Sequence, residues 1–313
     1  MALGIAGTRV GCWTDAEHHT GCTVVLPPAG SQGAIAVRGG GPGTREAAAL
    51  GPNGNVGECH AVVLSGGSAF GLATGDGVVQ WCADQGIGYD TGVARVPIVG
   101  GAIVFDLRDA TAPRPGAAAG RAACEAATED DPPEGSVGVG TGCTVGKAAG
   151  VQWGSKGGQG WAVTTAGGIT VGALMAVNAV GDVLDASGAV LAGSRAPADA
   201  PRFPIMSRAD VIAASALQNT VIGCLVTDAR LSKAQAARVA DLAHTGIART
   251  VDPVHTTVDG DALFVLSTQR VDATPDLVAH LAARTVAAAI RSAVRHAKGM
   301  PGFPADPRAR AGA

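Results

Sequence analysis

Two short polar steps in this chain carry the residue types of hydrolytic chemistry. Asn219-Thr220 directly precedes the apolar run Val221-Ile-Gly-Cys-Leu-Val226, and Asp259-Gly260-Asp261 directly precedes Ala262-Leu-Phe-Val-Leu266. Both runs read as buried strands. A hydroxyl nucleophile and two carboxylates are thus set at the starts of two strands that could be neighbours. Taken singly, neither step is specific, because Asn-Thr is an ordinary polar lead-in and Asp-Gly a common turn. The chemistry they would share is acyl transfer, in which a weak hydroxyl nucleophile is activated by an adjacent base.

Other candidates compete less well. Gly66-Gly-Ser68-Ala-Phe70 lies at a strand-to-helix turn, where an α/β-hydrolase holds its serine, but G-x-S-x-G requires glycine where Phe70 stands. Ser68 reads more simply as a helix N-cap. Gly39-Gly-Gly-Pro-Gly-Thr44 lacks the spacing of a phosphate loop, and Gly146-Lys147 is followed by Ala148 rather than Ser or Thr. Gly138-Val-Gly140 has no third glycine to complete a dinucleotide fingerprint. The histidines at 18, 19, 60, 244, 255, 280 and 296 show no metalloprotease spacing and read as exposed or core residues. His255 carries slightly more weight, because it precedes Asp259-Gly260-Asp261. Seven cysteines, odd in number and without C-x-x-C spacing, fit small buried hydrophobes better than disulfides or a zinc site.

The elements that must position these residues are unusually rich in glycine. Glycine supplies 47 of 313 residues, about twice the usual ~7% share. Hydrophobic residues make up 47%, aromatics 3% and charged residues 16%, with a net charge of −3. That balance excludes a disordered chain, and the absence of a three-residue period excludes collagen. With a pI near 6.1 and no basic cluster, neither nucleic acid nor an anionic membrane is an expected partner. The start lacks the pattern of a signal peptide, and the longest apolar stretch, residues 169–180, is shorter than the ~18 residues of a membrane span. A cytoplasmic location is expected.

Strands are predicted at Cys22-Thr-Val-Val-Leu-Pro27, Ala34-Ile-Ala-Val-Arg38 and His60-Ala-Val-Val-Leu64, with a helix from Ser68 to about Asp84 ended by Gly86. Residues 111–136 read as a surface loop. Residues 164–184 contain strand material, with Gly181-Asp182 as a hairpin turn. Residues 185–206, with Pro197, Pro201 and Pro204, read as an exposed linker. Ser232 and Gln235 form a capping box ahead of the helical stripe Val239, Leu242, Ala243 and Ile247. Thr274-Pro275 opens a last helix closed by Gly299. The class is α/β or α+β, layered, with Ala/Gly-rich faces.

Taken together, Arg38-Gly-Gly-Gly-Pro-Gly-Thr-Arg-Glu46, Val63-Leu-Ser-Gly-Gly-Ser-Ala-Phe-Gly-Leu72, Val96-Pro-Ile-Val99 with Phe105-Asp106, Gly167-Gly168 with Val177-Asn178, Asn219-Thr220 and Asp259-Gly260-Asp261 resemble the DmpA-like family. That family comprises L-aminopeptidase/D-esterases, β-peptidyl aminopeptidases and nylon-oligomer hydrolases. The resemblance implies an α+β, four-layer αββα sandwich, one domain over residues 1–313, made as an inactive precursor. Cleavage between Asn219 and Thr220 would leave an α chain of residues 1–219 and a β chain of residues 220–313. It implies Thr220 as nucleophile, Asn178 as oxyanion donor, and Asp259 and Asp261 holding the freed ammonium or aligning the hydroxyl. Lys147 would stand near the nucleophile, with Lys156 as the alternative. No metal or organic cofactor is implied. Expected substrates are N-terminal aminoacyl amides, short peptides with β- or D-residues, or linear amide oligomers, and the expected assembly is a tetramer of processed α/β units. A physical rationale stands beside the resemblance: cleavage converts an amide nitrogen into an α-amine of pKa roughly 7.7–8.0, a base that can accept the hydroxyl proton near neutrality. The competing readings are an α/β-hydrolase-type esterase using Ser68 and an unprocessed, non-catalytic binding protein of the same fold.

Overall fold

Alternation along the apolar runs settles the layering. The computed structural model describes residues 1–204 and 219–310. Its main strands are β1 (Arg9–Asp15), β2 (Thr20–Leu26), β3 (Gln32–Val37), β4 (Thr44–Arg45), β5 (Ala61–Ser65), β6 (Val99–Ile103), β7 (Gly158–Ala166), β8 (Ile169–Asn178), β9 (Thr220–Arg230) and β10 (Ala262–Asp272). They form two five-stranded sheets, ordered β1-β2-β5-β6-β4 and β7-β8-β9-β10-β3. The longer helices are α1 (Thr74–Asp84), α2 (Ala117–Glu125), α3 (Lys233–Ala248) and α4 (Pro275–Arg295).

Successive residues of a strand point to opposite faces, and here both faces are apolar. In β2, Cys22, Val24 and Leu26 pack with Val78, Trp81, Ala119 and Ala123 of α1 and α2. Val25 turns the other way, to a core shared with Ile222, Cys224 and Val226 of β9 and Phe264 of β10. Val221 and Leu225 of β9 and Leu263 and Val265 of β10 face a third core made with α3 and α4. The order helix–sheet–sheet–helix is the four-layer αββα sandwich of the α+β class.

The layers sit close because small residues line them. A Cβ added to Gly160 of β7 would lie 2.3 Å from the Ala293 nitrogen and 2.4 Å from the Ala289 carbonyl oxygen, both on α4. A Cβ on Gly77 of α1 would meet the Ala117 carbonyl oxygen at 1.8 Å. Helix α4 has the length and mean hydropathy of a membrane span, yet its apolar residues, among them Leu281, Val286, Ile290 and Val294, are buried against the second sheet. All seven cysteines are free thiols, six of them buried.

Several local expectations hold and several do not. Ser232 accepts the Gln235 N–H while the Gln235 side chain accepts the Ser232 N–H, completing the capping box. Thr274 caps α4 with Pro275 in its first turn, but the helix ends at Arg295 with His296 as C-cap, before Gly299. Ser68 is not a cap. Its φ of +54° follows Gly67 at +84°, its side chain makes no cap hydrogen bond, and a 3-10 turn, Ser68–Ala73, precedes α1. Residues 111–136 hold α2, whose buried face of Ala119, Gly120, Ala123 and Cys124 has no large side chain to advertise it. The hairpin turn is Gly167-Gly168, both with positive φ (+61° and +80°), joining β7 to β8. Asp182 instead begins a short strand, Asp182–Leu184, that pairs with Val190–Ala192 and Val251–Asp252. The stretch expected as an exposed linker is therefore partly inside, with Leu191 and Ala192 buried; its residues 205 and 206 lie outside the described residues.

The close packing gives a direct test. Gly160→Ala is expected to lower stability by about 1–3 kcal/mol through overpacking, read as a fall in Tm. Gly57→Ala, exposed and facing only the Gln32 side chain at 3.6 Å, is expected to stay within about 0.5 kcal/mol of the parent.

Candidate active site

Three strand ends converge at one edge of the second sheet. β9 and β10 run parallel with Ile222 opposite Ala262, so Thr220 and Asp261 stand at neighbouring starts. β8 runs antiparallel to β9 and ends with Asn178 opposite Thr220. The loop before β10 continues the pairing beyond the strand: the Asn219 N–H donates to the Val258 carbonyl (3.3 Å) and the Gly260 N–H donates to the Asn219 carbonyl (2.9 Å). The Thr220 hydroxyl donates to the same Asn219 carbonyl. The peptide bond between Asn219 and Thr220 is thus held in extended form with two donors on its carbonyl oxygen.

That loop is clamped by the triglycine Gly39–Gly41. The Arg38 N–H donates to the Asp261 carbonyl (2.9 Å), and the Gly41 N–H to the Asp259 carbonyl (2.8 Å). A Cβ on Gly39 would lie 2.3 Å from the Asp261 nitrogen. Here glycine is required because backbone lies directly on backbone.

Asp261 is buried and bridges two elements. Its Oδ1 accepts the Val221 N–H at 2.6 Å, and its Oδ2 accepts both the N–H (3.2 Å) and the ring Nδ1–H (2.7 Å) of His255. Asp259 accepts from the N–H and hydroxyl of Thr256 (2.8 and 2.6 Å). Burial first, and then the charge of Asp261, push the Asp259 carboxyl up to about 6. The Lys147 ammonium donates to the carbonyl and to Oδ1 of Asn178, both at 3.1 Å. Burial drives its pKa down to about 7, against the opposing pull of Cys143 and Asp259. Asn178 Oδ1 also accepts the Thr144 N–H (2.9 Å), and its Nδ2 donates to the Phe105 carbonyl (2.9 Å). An amide nitrogen carries two hydrogens, and Phe105 uses one of them.

The structure brings together Thr220, Asn219, Asn178, Lys147, Asp259 and Asp261, all buried. It separates Lys156 from them. That ammonium is caged by the carbonyls of Gly140, Cys143 and Gly157 (2.8, 3.0 and 3.0 Å), and burial lowers its pKa to about 8. Ser68 lies elsewhere on a half-buried turn. No hydrogen bond among the described residues joins its side chain to a histidine or carboxylate, and the nearby Asp106 accepts instead from the Gly67 N–H and the Thr20 hydroxyl. The two facing sheets are also not the single sheet of an α/β-hydrolase, so the Ser68 esterase reading fails on the fold. Sequence reasoning missed Gly260, whose N–H meets the Asn219 carbonyl and whose added Cβ would sit 2.9 Å from Thr220 Oγ1. It lies inside the Asp259-Gly260-Asp261 step, where it reads only as a turn residue. His244, which by sequence reads as an exposed or core residue, stands with its ring edge-on to His255 at 4.9 Å. Burial holds it down to about 4.

Fold and site together define a four-layer αββα sandwich that gathers a hydroxyl, an amide, a lysine and two acids where β8 ends and β9 and β10 begin. Residues 3–307 match peptidase family S58. An aminopeptidase of Mycobacterium tuberculosis, itself uncharacterized, is 44% identical over 269 residues, covering 82% of this chain and 75% of the relative. The 6-aminohexanoate-oligomer endohydrolase of Paenarthrobacter ureafaciens is 32% identical over 281 residues, 87% of this chain and 76% of that protein. Among solved structures, the L-aminopeptidase D-Ala-esterase/amidase of Ochrobactrum anthropi superposes with a TM-score of 0.72 at 21% identity, over 99% of this chain and 91% of that one. A β-aminopeptidase of Burkholderia gives 0.72 at 20% identity, over 98% and 91%. The chain belongs to peptidase family S58, the family of DmpA-like aminopeptidases, β-aminopeptidases and nylon-oligomer hydrolases.

The two buried lysines are expected to separate in experiment. Lys147→Met, which removes the ammonium bonded to Asn178 and attracted by Asp259, is expected to cost about 100-fold or more in kcat with a small change in Tm. Lys156→Met removes the ammonium donor from three carbonyls, of which those of Gly140 and Cys143 keep the N–H of Cys143 and Gly157, and is expected to cost about 1–3 kcal/mol in all. It should lower Tm markedly while activity per folded molecule survives.

Proposed function

We propose that this hydrolase is self-processing, with Thr220 as its nucleophile after cleavage of the Asn219–Thr220 bond. The observation that carries the reading is the convergence on that bond of a hydroxyl, a carbonyl already held by the Gly260 N–H, two buried acids and a buried lysine. In the precursor the Thr220 nitrogen is an amide and cannot act as a base. Maturation therefore begins with attack of Thr220 Oγ on the Asn219 carbonyl carbon. The hydroxyl gives up its proton, the developing oxyanion is met by the Gly260 N–H, the C–N bond breaks, and the nitrogen takes up that proton to become an amine. Lys147, with its pKa near 7, exchanges protons readily at neutral pH. Water then hydrolyses the resulting ester and frees the Asn219 carboxylate.

In turnover the same hydroxyl attacks a substrate carbonyl, with the new α-amine taking its proton. On this reading the second N–H of Asn178 donates to the oxyanion, and Asp259 and Asp261 balance the ammonium that forms. The leaving amine departs with a proton, and water or a second amine resolves the acyl-enzyme. Thr220 is 4% exposed in the uncleaved chain, so substrate reaches it only once the segment before the cut has moved. The relatives act, by their names, as aminopeptidases and on 6-aminohexanoate oligomers. For this chain the substrate class is correspondingly a short linear amide bearing a free amino group on its acyl part.

Denaturing electrophoresis with intact mass is expected to show fragments 1–219 and 220–313. Thr220→Ala should leave the chain whole and abolish hydrolysis of an aminoacyl p-nitroanilide panel (L-alanyl, D-alanyl, β-alanyl and 6-aminohexanoyl). An intact chain that hydrolyses the panel, or Thr220→Ala with full activity, would sink the reading. The raised pKa of Asp259 means that it holds its proton until about pH 6. Turnover should therefore fall as pH drops through that value.

A further inference from the structure

Once the Asn219–Thr220 bond is cut, the new chain start loses its covalent tie and the ladder bonds of Asn219, and keeps its pairing with Asn178. Before cleavage, Asn219 pins Thr220 through its own bonds to Val258 and Gly260. Afterwards the nearest side-chain hold on the β-chain backbone is the Val221 N–H on Asp261 Oδ1. What aims that carboxylate is His255. Its backbone N–H and ring Nδ1–H both fall on Oδ2, leaving Oδ1 free for Val221. The two donors can share one oxygen because His255 adopts a left-handed backbone, φ +52°, a conformation that is uncommon outside glycine but enriched in Asn, Asp and His. Behind the ring stands His244 of α3, edge-on at 4.9 Å and itself held by the Ala36 carbonyl at 3.2 Å. His255 Nε2 is buried and has no partner among the described residues, so the ring's contact with the site runs through Asp261.

We propose that His255 is a positioning residue for turnover: by fixing Asp261 with two hydrogen bonds, it holds the free amino terminus of the processed β chain in register for attack. The proposal rests on the Thr220 reading and adds a role to a residue outside the chemistry. It assigns His255 a larger effect on turnover than on self-cleavage, because the uncleaved chain has covalent and ladder restraints that the cleaved one lacks. A merely structural histidine would affect both through loss of folded protein.

The test compares His255→Ala, His255→Asn and His255→Asp in the full chain. Asn keeps a side-chain N–H donor near the position of Nδ1 and tolerates the left-handed backbone; Asp has the same size but offers no donor. The measurements are Tm, cleavage on a denaturing gel, and kcat and KM on the p-nitroanilide that the wild type cleaves fastest. Expected are cleaved Ala and Asp variants with kcat reduced about 10- to 100-fold at little-changed KM, and an Asn variant within about threefold of wild type. Should Ala or Asp not accumulate as folded protein, the Asn variant and whichever of the two does fold carry the comparison. Wild-type kcat in a folded Ala or Asp variant overturns the proposal, as does an Asn variant that is folded and cleaved but as slow as Ala. A wild-type chain that is never cleaved, or an active Thr220→Ala, removes the nucleophile reading instead, so the two failures are distinguishable.

Discussion

Parallel neighbouring strands begin at the same end of their sheet, and at the candidate site the two that do so are β9 and β10. Everything at the site hangs on that pairing. With Ile222 opposite Ala262, Thr220, the first residue of β9, and Asp261, just before β10, have nowhere to go but together. Parallel strands need a crossover, and α3 supplies it, so the capping box at Ser232 and Gln235 and the apolar stripe behind it are part of what builds the site. Antiparallel β8 adds its last residue, Asn178, opposite Thr220. The Gly39–Gly41 clamp then fixes the loop that carries the acids.

The same burial acts on charges of both signs. It pushes Asp259 up and Lys147 down, because low-dielectric surroundings disfavour any charged form. Each is partly rescued by the other, and both end near neutrality, where protons move between groups at little cost. Lys156 shows the contrasting case. Three carbonyls satisfy its three donors, and no carboxylate shares its cage. An ammonium whose three donors all meet carbonyls holds structure together, whereas Lys147 shares its hydrogen bonds with the Asn178 side chain and feels the charge of Asp259.

Strong apolar alternation and local caps are properties of a few adjacent residues, so they were legible: Val221 to Val226, Ala262 to Leu266, the caps at Ser232 and Thr274. The grouping of Thr220 with Asp259 and Asp261 was readable as soon as both were seen to start strands. What stayed hidden depends on partners distant in sequence. Gly181-Asp182 and Gly167-Gly168 look alike as turns, and only the strands they face decide between them; the Asp182 carboxylate instead accepts the Ser194 N–H. Ser68 has the composition of a cap, but at φ +54° its backbone is outside the extended region that a capping residue uses. Helix α2 buries alanine and glycine, which leave no periodic signature. Gly260 acts through its backbone N–H, and no residue type announces that.

The glycine surplus connects these observations to the chemistry. Where layers meet through backbone, as at Gly160, Gly77 and Gly39, no side chain can swing aside to open a path. Of these contacts the one at Gly39 bears on the site, where it fixes the backbone of Asp259 and Asp261. The uncleaved state is also imperfectly satisfied: both polar ends of the Asn219 side chain are buried without partners among the described residues. Such groups cost about 1–3 kcal/mol each, and the cost disappears when they reach water. On the proposed reading, cleavage of the Asn219–Thr220 bond relieves that cost and frees the base that Thr220 needs in one event. The tight packing that keeps the precursor closed thus also favours its conversion.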